Sequence, residues 1–186
     1  PKGVLSVLTG GAELGASICA HPGIAAVSLV GSVPTGKAVL KSAADSMKRT
    51  QLELGGKNAL IICPDADLDA AINGAVKGMN LGWTAGQSCG STSRILVHSS
   101  VYDAVVEGIE AAFSAVKLGD PLSQDTEMGS LSTASQFQRV TDYIASAKQQ
   151  GATIRVGAAP DNDDNDTSSA HKDGFFVKPT LLVDVT

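Results

Sequence analysis

The stretch Ala26-Val27-Ser28-Leu29-Val30-Gly31-Ser32-Val33-Pro34-Thr35-Gly36-Lys37 decides the fold class. Ala26 to Val30 reads as a strand, Gly31-Ser32 as a turn, and Thr35 to Ala44 as a helix with Val39 and Leu40 on its inner face. A strand that feeds a helix through a glycine turn is the repeating unit of a parallel sheet. Upstream, Val4 to Leu8 reads as a strand broken by Gly10-Gly11, and Ala12 to Ala20 as a helix. Downstream, Thr50 to Leu54 and Ala59 to Cys63 read as strands on either side of Gly55-Gly56. A helix runs from Asp65 toward Met79, with acids in its first turn where the macrodipole favours them. A strand at Arg94 to Val97, helices at Val101 to Val116 and Ser132 to Gln150, and a strand at Thr153 to Val156 follow. The alternation predicts an α/β fold of parallel-sheet layers with crossover helices, and no internal repeat interrupts it.

One stretch has no apolar period. Between Pro160 and Gly174 stand Asp161, Asp163, Asp164, Asp166 and Asp173 among Asn, Ser and Thr. The spacing lacks the sixth-position Gly and the twelfth-position Glu of a calcium-binding EF-hand loop. A solvated surface loop is the expectation, and no metal site is predicted.

Bulk properties narrow the function classes. Of 186 residues, 43% are hydrophobic, 18% charged and 4% aromatic, with 20 glycines, which fits a globular chain whose core is built of small aliphatics. A net charge of −5 without a basic stripe excludes a nucleic-acid footprint. No apolar run approaches the ~20 residues of a membrane span. The opening Pro1-Lys2-Gly3-Val4-Leu5 has neither an initiator Met nor a signal-peptide pattern, and reads as a start inside a longer protein. Cys19, Cys63 and Cys89 are odd in number and lack metal spacing, so a reducing, cytoplasmic setting is expected.

Three segments carry chemistry. At Gly31-Ser32 the chain turns into a helix whose first N–H groups can bind a phosphate, although a glycine turn before a helix is also a commonplace connection. In Leu52-Glu53-Leu54-Gly55-Gly56-Lys57, a lone Glu lies in an apolar strand. Shielded from water it would serve as a general base; paired with Lys57 it would be structural. In Gly86-Gln87-Ser88-Cys89-Gly90-Ser91, small residues leave the Cys89 thiol reachable, whereas Cys19 and Cys63 lie in apolar runs and are expected to be buried and inert.

Taken in order, these segments resemble the aldehyde dehydrogenase superfamily along essentially the whole chain. Its glutamate motif corresponds to Leu52-Glu53-Leu54-Gly55-Gly56-Lys57 and its cysteine motif to Gly86-Gln87-Ser88-Cys89, with Pro64-Asp65-Ala66-Asp67-Leu68-Asp69 between them. Leu118-Gly119-Asp120-Pro121-Leu122, Met128-Gly129 and Phe176-Val177-Lys178-Pro179-Thr180 are similar to its later landmarks.

The resemblance implies oxidation of an aldehyde to a carboxylic acid with NAD or NADP. Cys89 would attack the carbonyl, loss of hydride would leave a thioester, and Glu53 would activate the water that hydrolyses it. Gly31, Ser32, Gly36, Leu54 and Gly55 would belong to the cofactor site. Glu53 disfavours the branch that passes the acyl group to coenzyme A. Where the family places an oxyanion-holding Asn, five residues before the cysteine, this chain has Thr84. The slightly longer interval from Glu53 to Cys89 also admits Asn80, so Thr84, Asn80 and the Cys89 backbone N–H are all candidates. Leu29-Val30 replaces the family's common Phe-Thr pair, and Ser130 stands where it often has Pro.

Residues 1–54 correspond to the end of the Rossmann-like cofactor domain and 55–186 to most of the catalytic domain, with further family segments expected before Pro1 and after Thr186. The full-length protein is expected to be a homo-oligomer acting on a small aldehyde, with no nucleic-acid or membrane partner. The alternative is a non-catalytic truncated member of the same family. A cysteine hydrolase is disfavoured, because His21, His98 and His171 stand in no recognisable relation to Cys89.

Overall fold

Side-chain caps at Ser32, Asp67 and Thr133 set where three of the described helices begin, and the strands fall between helices. The computed structural model describes residues 1–157 and 174–185. Its chain divides into two units, Pro1–Gly56 and Lys57–Thr186.

The first unit runs α1 (Ala12–Ala20), β1 (Ala26–Val30), α2 (Val33–Ala44) and β2 (Arg49–Glu53). Strands β1 and β2 pair in parallel, from Ala26 opposite Arg49 to Val30 opposite Glu53. Helix α2 starts two residues before the predicted Thr35, because Ser32 caps it and Pro34, lacking an N–H, fits its first turn. It packs along the row Gly36, Val39 and Ala43. The small residues at 36 and 43 narrow that contact, and Leu40, expected inside, is left on the flank at 47% exposure. Lys48 is buried, and its ammonium donates to the Cys19 carbonyl at the end of α1 (2.9 Å), where the helix macrodipole favours a cation.

The strand expected at Val4 to Leu8 is absent. A strand exists only with a ladder partner, and no described strand pairs with this segment. Val4, Leu5, Val7 and Leu8 are all exposed.

The second unit runs β3 (Ala59–Ile62), α3 (Leu68–Gly78), α4 (Leu81–Thr84), β4 (Arg94–Val97), a 3₁₀ turn (Ser99–Val101), α5 (Tyr102–Ser114), α6 (Ala134–Gln149), β5 (Thr153–Val156) and β6 (Leu181–Val183). Asp67 caps α3 by accepting the Ala70 N–H, and Thr133 caps α6 by accepting the Gln136 N–H. Strands β3 and β4 pair in parallel, joined through α3 as a strand–helix–strand crossover. Strands β5 and β6 pair antiparallel, with a register shift between Ile154 and Val156. Among the described residues the strands form three separate pairs, two parallel and one antiparallel. The sequence reading contained neither α4 nor β6: a single helical turn and three apolar residues are too short to show a period.

The core of this unit forms where Val105, Ile109 and Phe113, one face of α5, meet Ala75 of α3 and Ile62 of β3. At the flank of this face of α5, Glu110 pairs with Arg155 of β5 at 2.7 Å, and this bond and charge push the guanidinium pKa above its ordinary value. The aspartate-rich stretch beginning at Pro160 lies outside the described residues up to Asp173. No described helix is long and apolar enough to cross a membrane. Among the described residues no cluster of His, Cys, Asp or Glu is placed to hold a metal ion.

Ile109→Ala is expected to lower unfolding free energy by about 2–5 kcal/mol, because it empties a site that is 2% exposed. Leu122→Ala, at a site 88% exposed, should shift it by less than about 0.5 kcal/mol. Urea unfolding followed by circular dichroism compares the two, and equal losses would contradict this placement of the core.

Candidate functional site

In open α/β sheets, ligands collect outside the carboxyl ends of parallel strands, where turns enter the following helices. In the first unit this place holds six of the residues singled out from sequence. Glu53 ends β2 beside Val30, and the Gly31 N–H donates to the Glu53 carbonyl at 2.9 Å, extending the ladder one step. Leu54 and Gly55 follow at once, Gly55 in the left-handed region at φ 68°. A Cβ at Gly36 would lie 2.7 Å from Leu54, so glycine is what lets α2 approach the end of β2 this closely.

Gly31 itself is outside the left-handed region, and a Cβ there would make only ordinary contact with Leu29 at 3.5 Å. The sharp turn expected of Gly31 is thus not what requires glycine; its effect is to leave the approach to α2 open. The donors at that approach are few. Ser32 Oγ accepts the Thr35 N–H at 3.3 Å, Pro34 has no N–H, and the Gly36 N–H donates to the Ser32 carbonyl. Among the described residues this leaves the Val33 N–H in the first turn, with the hydroxyls of Ser32 and Thr35, 2.9 Å apart. One of the two hydroxyls donates to the other, so one amide and one hydroxyl proton remain, which suit a single anionic group.

Glu53 is exposed in this chain, contrary to the expected shielding. Side chains alternate along a strand: Thr50, Leu52 and Leu54 share one face, Leu54 meeting Gly36 of α2, and Glu53 belongs to the other. On that other face Val30 is 75% exposed. The salt-bridge alternative for Glu53 has no support among the described residues, where Glu110 pairs with Arg155.

In the second unit the residues of interest lie between α4 and β4. The chain enters α4 through Asn80 (φ 55°) and leaves it through Ala85 (φ 49°) and Gly86 (φ 75°). A left-handed conformation costs a non-glycine residue about 1–2 kcal/mol, and such strain clusters at functional sites. Hydrogen bonds then hold the loop on both sides of the thiol. The Gln87 side chain donates to the Thr84 carbonyl (2.8 Å) and accepts from Ser132 Oγ (3.0 Å). The Gly90 N–H donates to Ser88 Oγ (3.1 Å), and the buried Ser91 hydroxyl donates to the Met79 carbonyl (3.0 Å). Asn58 Nδ2 donates to the carbonyls of Cys89 (2.6 Å) and Ser91 (3.1 Å).

The three oxyanion candidates differ in what they have left to give. The single hydroxyl proton of Thr84 is committed to the Asn80 carbonyl at 3.2 Å. Asn80 Nδ2 makes one long bond to the Gly78 carbonyl, 3.4 Å, and retains a second N–H. The Cys89 N–H has no hydrogen-bond partner among the described residues. Cys89 is exposed, as the small residues around it foretold. Cys63 is exposed too, against expectation, because it lies one residue beyond the end of β3, where the apolar run leaves the sheet. Cys19, in α1, is half-buried.

Two open cavities lie in this unit, about 700 Å³ beside Phe113, Lys117 and Thr126, and about 470 Å³ beside Gly86, Tyr143 and Ile144. Cys89 lines neither. Gln87 and Ser91 stand in the thiol segment read from sequence but were given no role of their own, and Asn58 and Ser132 were not singled out. Asn58 alone carried a signal, a polar amide immediately before the apolar run Ala59-Leu60-Ile61-Ile62.

Known proteins that resemble this chain fall in one group. A family model described as "Aldehyde dehydrogenase family" matches residues 1–186. An aldehyde dehydrogenase of Talaromyces stipitatus is 46% identical over 100% of this chain and 36% of its own length. The NAD+ complex of an aldehyde dehydrogenase from Bacillus cereus superposes with a TM-score of 0.84 at 41% identity, over 92% of this chain and 33% of that one. Betaine aldehyde dehydrogenase from Staphylococcus aureus, solved with NAD+, gives a TM-score of 0.88 at 36% identity, over 97% of this chain and 34% of that one. The chain thus spans about a third of the length of these proteins.

Brief iodoacetamide treatment of the folded chain, followed by peptide mass mapping, should label Cys89 and Cys63 ahead of Cys19. Labelling of Cys19 first would contradict the exposures seen here.

Proposed function

The chain belongs to the aldehyde dehydrogenase family, and on that premise we propose that it is the thiol- and glutamate-bearing part of an NAD(P)-dependent enzyme that oxidises an aldehyde to a carboxylic acid. The observation that carries this reading is the Cys89 loop. Its neighbours are pinned by hydrogen bonds, while the thiol stays exposed and the backbone N–H beside it uncommitted. A nucleophile held in a fixed frame next to an available amide donor is what attack on a carbonyl needs.

Cys89 Sγ loses its proton to water and adds as the thiolate to the aldehyde carbon, and the carbonyl oxygen takes the electron pair as an oxyanion. The Cys89 N–H or the second amide N–H of Asn80 donates to that oxygen; Thr84, whose proton is committed, is the weakest of the three. The chemistry a bound nicotinamide supplies is acceptance of the hydride that turns the adduct into a thioester. Glu53 removes a proton from water as it attacks the thioester, which releases the acid and returns the thiol.

The residues at the carboxyl ends of β1 and β2 fit a cofactor phosphate. The approach at Gly31 is open, and the Val33 N–H and one hydroxyl of the Ser32 and Thr35 pair supply donors at the start of α2. Gly36, Leu54 and Gly55 shape that end of the unit rather than donate to it. The NAD+ complexes of the Bacillus and Staphylococcus enzymes support the assignment. NAD and NADP both remain within the proposal, as does an aliphatic or amino aldehyde as substrate, for which the betaine aldehyde relative speaks. Cytoplasmic, homo-oligomeric action of the full-length protein is also part of it, and three unpaired thiols suit a reducing compartment.

In the full-length enzyme, Glu53→Gln should slow steady-state turnover by ~10²–10⁴ while acyl-enzyme accumulates, detectable as added mass on the Cys89 peptide. Normal turnover in the folded variant would make Glu53 structural. The 186-residue chain alone, mixed with NAD or NADP and short aldehydes, should give no absorbance of reduced nicotinamide, because hydride transfer tolerates only ~1 Å of misplacement. Turnover that disappears on Cys89→Ala would show the chain to be self-sufficient.

A further inference from the structure

We propose that Asn58 is a positioning residue for Cys89, an inference that rests on the reading of Cys89 as nucleophile. Asn58 stands directly before β3, and Cys89 stands in the loop before β4, thirty-one positions away. Strands β3 and β4 are paired in register, with Ala59 opposite Arg94, and the Arg94 N–H donates to the Asn58 carbonyl at 3.0 Å. The backbone of Asn58 is therefore locked to the sheet. Its side chain then reaches forward from this fixed point into the thiol loop.

The geometry is that of a clamp. One nitrogen, Nδ2, serves the carbonyl of Cys89 at 2.6 Å and that of Ser91 at 3.1 Å, one bond on each side of Gly90. An amide nitrogen has two N–H groups, so both bonds can form together. Gly90 is the residue of this turn that resists rotation least, and the two bonds hold the Cys89–Gly90 peptide group before it and the Ser91–Thr92 peptide group beyond it. The Cys89 carbonyl is thereby fixed while its N–H and thiol keep no partner among the described residues. Asn58 acts on the reaction through the Cys89 main chain and does not touch the substrate.

A second set of bonds makes the clamp specific to this stretch. Ser91 is buried, and its hydroxyl is tied to the Met79 carbonyl; the Thr92 hydroxyl is tied to the Ala75 carbonyl at 3.1 Å. These bonds anchor the far side of the loop to α3 independently of Asn58. Loss of Asn58 would loosen Cys89 and Gly90 while the anchor at Ser91 and Thr92 holds.

Two measurements test this. Hydrogen exchange on the 186-residue chain needs no activity: Asn58→Ala should speed exchange of the Gly90 and Ser91 amides, with the Thr92 amide, bonded to the Gly78 carbonyl, unchanged. In the full-length enzyme the same variant should lower kcat by ~10²-fold, with the cofactor KM and the thermal midpoint preserved. Asn58→Asp, which offers no donor, should be no better than Asn58→Ala; Asn58→Ser, which offers one, should restore part of kcat. If Asn58→Ala does not fold, Asn58→Ser decides by the same readings. Unchanged exchange at Gly90, or wild-type kcat in a folded variant, would overturn the proposal. Aldehyde oxidation that survives Cys89→Ala would instead overturn the reading of Cys89, leaving the exchange result to stand alone.

Discussion

A loop can hold out a reactive side chain only if its own backbone polar groups are satisfied, because each unsatisfied buried N–H or C=O is destabilising. The loop between α4 and β4 meets this constraint with side chains from distant parts of its unit. Asn58, Ser132 and the backbone carbonyls of Ala75, Gly78 and Met79 all reach it. The Cys89 thiol and N–H are among the groups left without a partner in the described residues. The strain at Asn80 and Ala85 is tolerated in the same frame, since the surrounding bonds leave the chain no relaxed alternative.

A different constraint shapes the first unit. Parallel strands leave their carboxyl ends to the turns that enter helices, so Gly31 and Ser32 after β1, and Leu54 and Gly55 after β2, gather without any long-range specification. Gly36 brings α2 against Leu54 and fixes the spacing between helix start and strand end. Glu53 shares the location but not the packing: strand alternation turns it to the face of the pair where Val30 is bare. Parallel sheets are ordinarily covered on both faces, so that face is where further protein would shield the carboxylate.

Much of the fold was legible in the sequence. The bounds of α1, β1, β4 and β5 match the expected ones residue for residue, and α2, α3, α5 and α6 differ only at their ends; Ser32, Asp67 and Thr133 cap the starts of α2, α3 and α6. Val4 to Leu8 failed because composition can favour a strand but cannot supply the neighbour it pairs with. Leu40 and Cys63 failed for a related reason. Period and apolar neighbours indicate which residues could be buried, and packing decides which are.

The sequence by itself determined the α/β alternation, the caps that start its helices, and the family motifs that single out Glu53 and Cys89. Those are local properties, written in periodicity and in residues a few positions apart. Exposure and hydrogen-bond partnership were decided by the tertiary structure alone. Asn58 meets Cys89 across thirty-one positions, and Gln87 meets Ser132 across forty-five. The pairing of β3 with β4 brings Asn58 to the Cys89 loop, and tertiary folding alone brings Ser132 to Gln87, because a hydrogen bond depends on separation in space and not on separation along the chain.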